Sequence, residues 1–598
     1  MKSYILILLL ILVSFAVYLN ATYNGFVIDD KYQVVENPWI KDIRYIPEIF
    51  SKGVWEFEGR ESNYYRPLMY VIYMLTYYIF GLKSLGFHIV NILFHTGNSV
   101  LVFLVVSEIF RKFYHSDSVS YFSPPFIAAI LFATNPIHTE AVTWVAGILD
   151  LSFTFFYLLS FYLYIRSGNS DKSSKRFYCL SVVSFLFAAF CKEPALTLII
   201  ILISYDWILR LARLRSLTKE KVSLIQYSKK YIPYFIVAGI YLIARYYSLK
   251  GFAPIKVDIT LTIYQWFINA VFLFIKDIGK LLFPTNLNIW HVFHPINSLL
   301  SIKGIVSFII IIFYLCLVYI SAKKNKIAFL GLLFIAVPLL PTLYAPALSQ
   351  GFENAFTERY LYLPSFGFVL FFALAIRWIN INKQKWNVII AVIIMVIIGL
   401  YSLATIRRNA VWENSYTLWS DAVKKSPESS VAHKTFGYAL FYTGRTKEGK
   451  EQLQIALKLD PGLVDEIINR GIIYSKNGLI NKAILEFNTA LIFKPDSAVT
   501  HYNLGLVYDS EGLLEAAIEQ YQITLMLKPD YADAHNNLGI AYGEKGLIDK
   551  AIEHFQSAIR LKPGDLYAYK NLARAYEMKG LREKAEEQRQ KARSLESR

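Results

Sequence analysis

The sequence predicts an all-α protein in two parts, a polytopic bundle of membrane-spanning helices followed by an α-solenoid. Two observations carry this. Before about residue 405 the chain is a succession of apolar runs of the length that spans a bilayer as helix, roughly 17–25 residues. After it the chain is charged and repeats itself every 34 residues. The average composition, 55% hydrophobic and 18% charged over 598 residues, hides these unlike halves. The organisation read from it is a membrane domain over 1–405, a connecting helix over 406–426 and a repeat domain over 427–598.

About eleven spans are expected, near 4–20, 87–110, 123–135, 143–165, 177–191, 194–210, 231–249, 301–321, 326–344, 360–379 and 386–405. The first follows Lys2 and is read as an uncleaved span, since Asn20-Ala21-Thr22-Tyr23 is a poor cleavage context. The net charge of +17 suggests nucleic acid, but its position argues otherwise. Basic residues crowd the connections Arg111–Lys112, Arg166–Arg176, Arg210–Lys230, Lys323–Lys326 and Arg377–Lys385, the pattern of cytoplasmic loops. With Lys2 inside, all of these fall on the cytoplasmic side. Residues 21–86 then form the first extracytoplasmic loop, and 136–142, Lys192-Glu193, 250–300 and 345–359 also lie outside. The apolar stretches 66–82 and 263–283 are read as helices lying against the outer membrane face, because counting only one of them as a span would invert every later loop. An odd span count places the C-terminal half outside the cytoplasm, so the expected location is the cell membrane, multi-pass, with partners among membrane lipids and not nucleic acid.

The repeats are carried by four columns in step. Pro427, Pro461, Pro495, Pro529 and Pro563 recur every 34 residues, as do Gly437, Gly471, Gly505 and Gly539. Gly444, Gly478, Gly512, Gly546 and Gly580 form a third column, and Tyr474, Tyr508, Tyr542 and Tyr576 a fourth. This pattern resembles the tetratricopeptide repeat (TPR): small residues let paired helices approach, Phe487, Tyr521 and Phe555 fill the space between, and Pro punctuates the turns. Arg589 departs from the aromatic column in the manner of a capping helix. Such an array offers a groove for a protein or peptide partner.

Chemistry is sought in the outer loops. Asp29-Asp30 follows the first span, and one of two adjacent carboxylates at the mouth of a membrane body can take the proton from an acceptor hydroxyl. Tyr65-Arg66-Pro67, Pro136-Ile137-His138-Thr139-Glu140-Ala141-Val142, Asp150, Lys192-Glu193 and Glu358-Arg359-Tyr360-Leu361-Tyr362-Leu363-Pro364-Ser365 fall at the same level. Ionisable groups at membrane depth are expensive, so several gathered near one leaflet point to a site. Arg and Lys facing it can hold a phosphate. The three cysteines, Cys179, Cys191 and Cys316, lack metal-ligand spacing, and His291 and His294 lack further ligands nearby, so no metal site is assigned and any need for a divalent metal is left open.

This ordered set of motifs, joined to the repeat array, resembles the transmembrane and tetratricopeptide-repeat O-mannosyltransferases of the GT-C class of glycosyltransferases. The resemblance implies a GT-C-like membrane domain and an inverting transfer from a polyprenyl-phosphate-linked sugar to a hydroxyl, commonly of protein Ser or Thr. It implies Asp30 as base, with Asp29 the alternative, and Arg66, Lys192 and Arg359 at the donor phosphate. His138, Glu140, Asp150 and Glu358 would position sugar or acceptor, and no cofactor is implied beyond the donor substrate. Ile148-Leu149 stands where the family usually has Gly-Arg before the Asp, and the array is short for the family. Transfer to a lipid or surface glycan, and a non-catalytic TPR membrane scaffold, are the competing readings.

Overall fold

The computed structural model describes residues 3–114, 123–168, 173–215, 228–252, 262–343, 356–382 and 387–596, with no β-strand among them. The basic residues Lys172, Lys219, Lys221, Lys383 and Lys385, and stretch 345–355 of an expected outer loop, lie outside the described residues. Contacts divide the chain into two compact units, Met1–Glu428 and Ser429–Arg598.

Seven helical stretches of the first unit are long and apolar enough to cross a membrane: Ser3–Tyr23, Ser84–Tyr114, Val145–Ser167, Ser174–Cys191, Ile302–Lys324, Lys326–Leu343 and Val388–Val411. Helices also occupy the other four expected spans, at Pro124–Thr134, Leu198–Arg215, Ile232–Ser248 and Pro364–Asn382, but none meets that measure over its described residues. Among the described residues seven of the eleven expected spans thus meet it by length and composition. Proline explains part of the shortfall. Pro136 sits one residue beyond Pro124–Thr134, and because proline disfavours helix at the residue before it, Asn135 is extended and caps the next turn by accepting from the Ile137 N–H at 3.1 Å. The apolar stretches 66–82 and 263–283 are helical at Pro67–Phe80 and Ile263–Leu282.

Two of the long helices show what surrounds this unit. Ile302–Lys324 and Val388–Val411 are each only 11% buried over their most apolar stretch, exposing Ile309, Phe313, Val392 and Leu400 among others. Continuous apolar surface on this scale belongs against lipid, not water. This is a membrane protein. Inside, one large core joins the helices Ser3–Tyr18, Ser84–Tyr114, Pro124–Thr134 and Ile148–Ser167 with their neighbours.

The segment between the first helix and Pro67–Phe80 has a core of its own. Val34, Trp39, Ile40, Ile49 and Val54 pack with Met69, Tyr70 and Tyr73 of helix Pro67–Phe80 and with Val145 and Ile148. The turn Val145–Gly147 is drawn tight against Thr139–Thr143. A Cβ on Gly147 would lie 2.1 Å from the Ala141 carbonyl oxygen, so only glycine fits there.

The second unit is five antiparallel helix pairs, from Ser430–Tyr442 with Thr446–Leu459 to Leu566–Met578 with Arg582–Glu596. Within each pair a small residue meets a large one. Ideal Cβ atoms on Gly471, Gly505 and Gly539 would come within 2.7, 2.6 and 2.7 Å of the rings of Phe487, Tyr521 and Phe555. The column Gly444, Gly478, Gly512, Gly546 and Gly580 ends each first helix at φ between 72° and 82°, the left-handed conformation that glycine adopts at no steric cost.

Candidate functional site

The adjacent carboxylates Asp29 and Asp30 have different surroundings. Asp30 is fully buried, and both of its oxygens are occupied: Oδ2 accepts from the Val27 N–H and Oδ1 from the Ala146 N–H, each at 3.0 Å. It thereby ties the loop to the tight turn Val145–Gly147. Ile28 is forced to φ +54° in this bend, a conformation rare for a β-branched residue and held only where the surroundings impose it. Asp29, by contrast, is part-exposed, and among the described residues its carboxylate enters no hydrogen bond or ion pair. Its backbone carbonyl accepts from Tyr32 and Gln33 N–H groups at 3.1 and 2.8 Å, which fixes where the side chain starts. The two carboxylates that the sequence ranks with Asp30 first thus differ in their surroundings, Asp30 holding two backbone amides and Asp29 none.

Burial pushes the Asp29 carboxyl above the usual carboxylate range. The Arg359 and Arg60 guanidiniums draw it back down, and Glu58 pushes it up. Asp30 is raised well above that range, again by burial first, against the two amide bonds.

The cations come from three separate chain segments. Arg66 precedes Pro67 at the start of helix Pro67–Phe80, Lys192 ends Ser174–Cys191, and Arg359 lies in the single turn Glu358–Leu361. Each is paired. Arg66 donates to Glu193 at 3.0 Å, Lys192 to Asp150, and Arg359 to Glu140, whose second oxygen accepts from the Arg359 backbone N–H at 3.1 Å. Aromatic faces hold them as well. The Lys192 ammonium is 4.8 Å from the Tyr360 ring centre, and the Arg359 guanidinium is 5.0 Å from that of Trp144 and 5.3 Å from that of Tyr360. Burial lowers the Lys192 ammonium, Asp150 holds it up, and Arg66 and Arg359 lower it further. Burial raises the Glu140 carboxyl against the pull of Arg359.

Two expected positioning residues face elsewhere. Glu358 accepts from the Asn288 N–H at 2.7 Å and bonds His291 Nε2 at 2.9 Å, so it anchors the 284–296 loop. His138 is fully buried with Nε2 2.8 Å from Ser365 Oγ, its ring packed against Phe132 and Tyr362. Among the described residues no group of three or more His, Cys, Asp or Glu could hold a metal ion.

Other residues near the site were not picked out from sequence. Glu58 and Arg60 form an ion pair that acts on Asp29, with Arg60 over the Trp55 ring at 4.7 Å. No motif marks them. Arg245 donates to Glu193 at 2.9 Å beside Arg66. It did carry a signal, since it is the one charged residue between Ile232 and Ser248 in a largely apolar helix.

Comparison with known proteins places relatives along most of the chain. The tetratricopeptide repeat family matches residues 532–565, and a second TPR repeat family matches 510–546. The protein O-mannosyl-transferase TMTC3 of Homo sapiens is 29% identical over 483 residues, 76% of this chain and 50% of that protein. The protein O-mannosyl-transferase F38B6.6 of Caenorhabditis elegans is 26% identical over 465 residues, covering 76% and 63%. The chain thus spans about half to two thirds of the length of these relatives. Among solved structures, a crystal structure of MamA is 34% identical over 27% of this chain and 94% of its own, with a TM-score of 0.22. The chain is thus a membrane protein with tetratricopeptide repeats, similar over about three quarters of its length to the TMTC-type protein O-mannosyl-transferases.

Proposed function

We propose that the chain transfers a sugar, mannose by its relatives' names, from a polyprenyl-phosphate carrier to a Ser or Thr hydroxyl of an extracytoplasmic protein. Asp29 is the base. It takes the proton from the acceptor hydroxyl as that oxygen forms its bond to the anomeric carbon on the face opposite the phosphate. The bond from that carbon to the phosphate oxygen breaks, and its electron pair leaves with the lipid phosphate. A single displacement of this kind inverts the anomeric centre. Arg66, Lys192 and Arg359 stabilise the charge that grows on the phosphate, while Glu140 and Asp150 keep those cations in place before the donor arrives. Asp30 holds the loop that presents Asp29. The domain of repeats after residue 426 recruits the acceptor polypeptide, and the site opens on the non-cytoplasmic leaflet, as the basic loops on the other side require.

The observation that carries this reading is the pairing of one part-exposed, unbonded carboxylate with buried cations from three chain segments. It is tested with the full chain in lipid nanodiscs, supplied with a labelled polyprenyl-phosphate sugar and an acceptor protein. Asp29→Asn is expected to lower transfer by about 10³-fold, within the range for loss of a general base, and to leave folding intact. Transfer at the wild-type rate in that variant would remove Asp29 from the chemistry.

A further inference from the structure

Arg66 differs from the other two cations in how it is neutralised. Asp150 serves Lys192 and Glu140 serves Arg359, whereas Glu193 is divided between two guanidiniums. Its Oε2 accepts from Arg66 Nη2 at 3.0 Å and its Oε1 from Arg245 Nη1 at 2.9 Å. Arg245 is itself fastened to the backbone. Its Nη2 donates to the Asn63 carbonyl at 2.6 Å and to the Phe252 carbonyl at 3.2 Å. Among the described residues Arg66 has no such second anchor on oxygen: it lies over the Tyr64 ring at 4.3 Å, and its Nε–H is buried without a partner there. One guanidinium of the pair is therefore fixed, and the other has a donor to spare.

We propose that Arg245 is a positioning residue for the lipid phosphate: it retains Glu193 so that Arg66 is released to bind the donor. This deepens the preceding reading and rests on it, since it takes Arg66 as a ligand of the phosphate. An arriving phosphate competes with Glu193 for Arg66. With Arg245 in place, Glu193 stays neutralised through Oε1 when Arg66 turns its free N–H groups to the phosphate. Without it, freeing Arg66 would leave a carboxylate unpaired in a poorly solvated site, which is costly. Arginine suits the task because its planar fork reaches three acceptors at once, which an ammonium on a flexible stem holds less firmly.

The test uses the full chain in nanodiscs with two readouts, binding of a polyprenyl monophosphate and the KM for the polyprenyl-phosphate sugar. Arg245→Gln is expected to weaken both by about tenfold, with kcat within about threefold, and Arg245→Lys by less. The deciding variant is the double substitution Arg245→Gln with Glu193→Gln. It removes the competing carboxylate and is expected to bring Kd back to within about threefold of wild type, although the backbone anchors of Arg245 are still missing. If Arg245→Gln binds the phosphate as wild type does, or if the double variant binds no better than the single one, the inference is overturned. Should the wild-type chain bind no polyprenyl monophosphate, the donor reading falls and takes this inference with it. Binding by wild type and unaltered binding by the variants would sink this inference alone.

Discussion

Lys192 and Asp150 of the membrane unit pair with side chains 7% and 6% exposed, whereas Lys579 and Asp549 of the repeats pair with side chains 45% and 79% exposed. Both are Lys–Asp pairs, but they do different things. In water the attraction between the repeat charges is screened and largely cancelled by the side-chain entropy lost in holding them, so such a pair contributes about 0.2–1 kcal/mol. In the membrane unit the partners have no water to return to. There a pair is costly to assemble and costlier to break, so it persists only where something else requires cations in those positions. The repeats stand on packing, and the site in the membrane unit stands on charge placed in advance of its ligand.

The sharpest test of this contrast is at Asp29, the charge without a partner. Beyond the expected 10³-fold loss in Asp29→Asn, the wild-type pH profile carries the sign. Burial raises the Asp29 carboxyl, so the protonated, inactive base persists above the usual carboxylate range and transfer rises as pH climbs through the raised value. Stability runs the other way. A group that holds its proton more tightly folded than unfolded contributes stability at low pH and loses it as pH rises through its folded value. Asp29→Asn is therefore expected to flatten that loss in unfolding measurements while abolishing transfer. A fall in stability at neutral pH would contradict it.

Breaking a buried pair comes next in size. Glu140→Gln leaves Arg359 without its counter-charge and is expected to cost about 3 kcal/mol, read as unfolding in mixed micelles; a loss under about 1 kcal/mol would place the pair with the surface ones. In the repeats the comparable damage comes from shape. Gly539→Ala sets a methyl 2.7 Å from the Phe555 ring and is expected to cost about 1–3 kcal/mol, visible as faster hydrogen exchange in Ala532–Glu544 and Ile548–Leu561. Lys579→Ala should be smallest, within about 0.5 kcal/mol by the same exchange measurement, and a larger effect would show that exposure misjudges these pairs.

The repeat arm was legible because its instructions are local and recur. Gly539 and Phe555 are 16 positions apart in every repeat, so period alone tells which residue meets which. The membrane unit was legible in its helices and less so in their bounds, since the span expected from Pro194 opens with the 3-10 turn Glu193–Thr197 and its α-helix starts only at Leu198. Motifs led to Arg66, Lys192 and Arg359, but not to the role of each neighbour. The surroundings of Asp29 and Asp30 differ through the Val27 amide nearby and the Ala146 amide 116 positions away, and no motif encodes the second. Glu358 and Arg359 are adjacent in one motif and yet turn to different partners, His291 and Glu140, which no spacing encodes. Arg245 belongs to the site through Glu193, 52 positions earlier, and only its isolation in an apolar helix hinted at it.

The left-handed glycines of the repeats have one more consequence. Gly444, Gly478, Gly512, Gly546 and Gly580 hold φ within 10° of one another, so the two helices of every pair are joined through the same turn. An arm built this way behaves as a polymer of identical links, in which reach is an adjustable quantity and orientation per link is not. Splicing in one more 34-residue unit would lengthen it without turning any existing face out of phase, adding a roughly constant increment of cohesion from one intrinsic and one nearest-neighbour contribution.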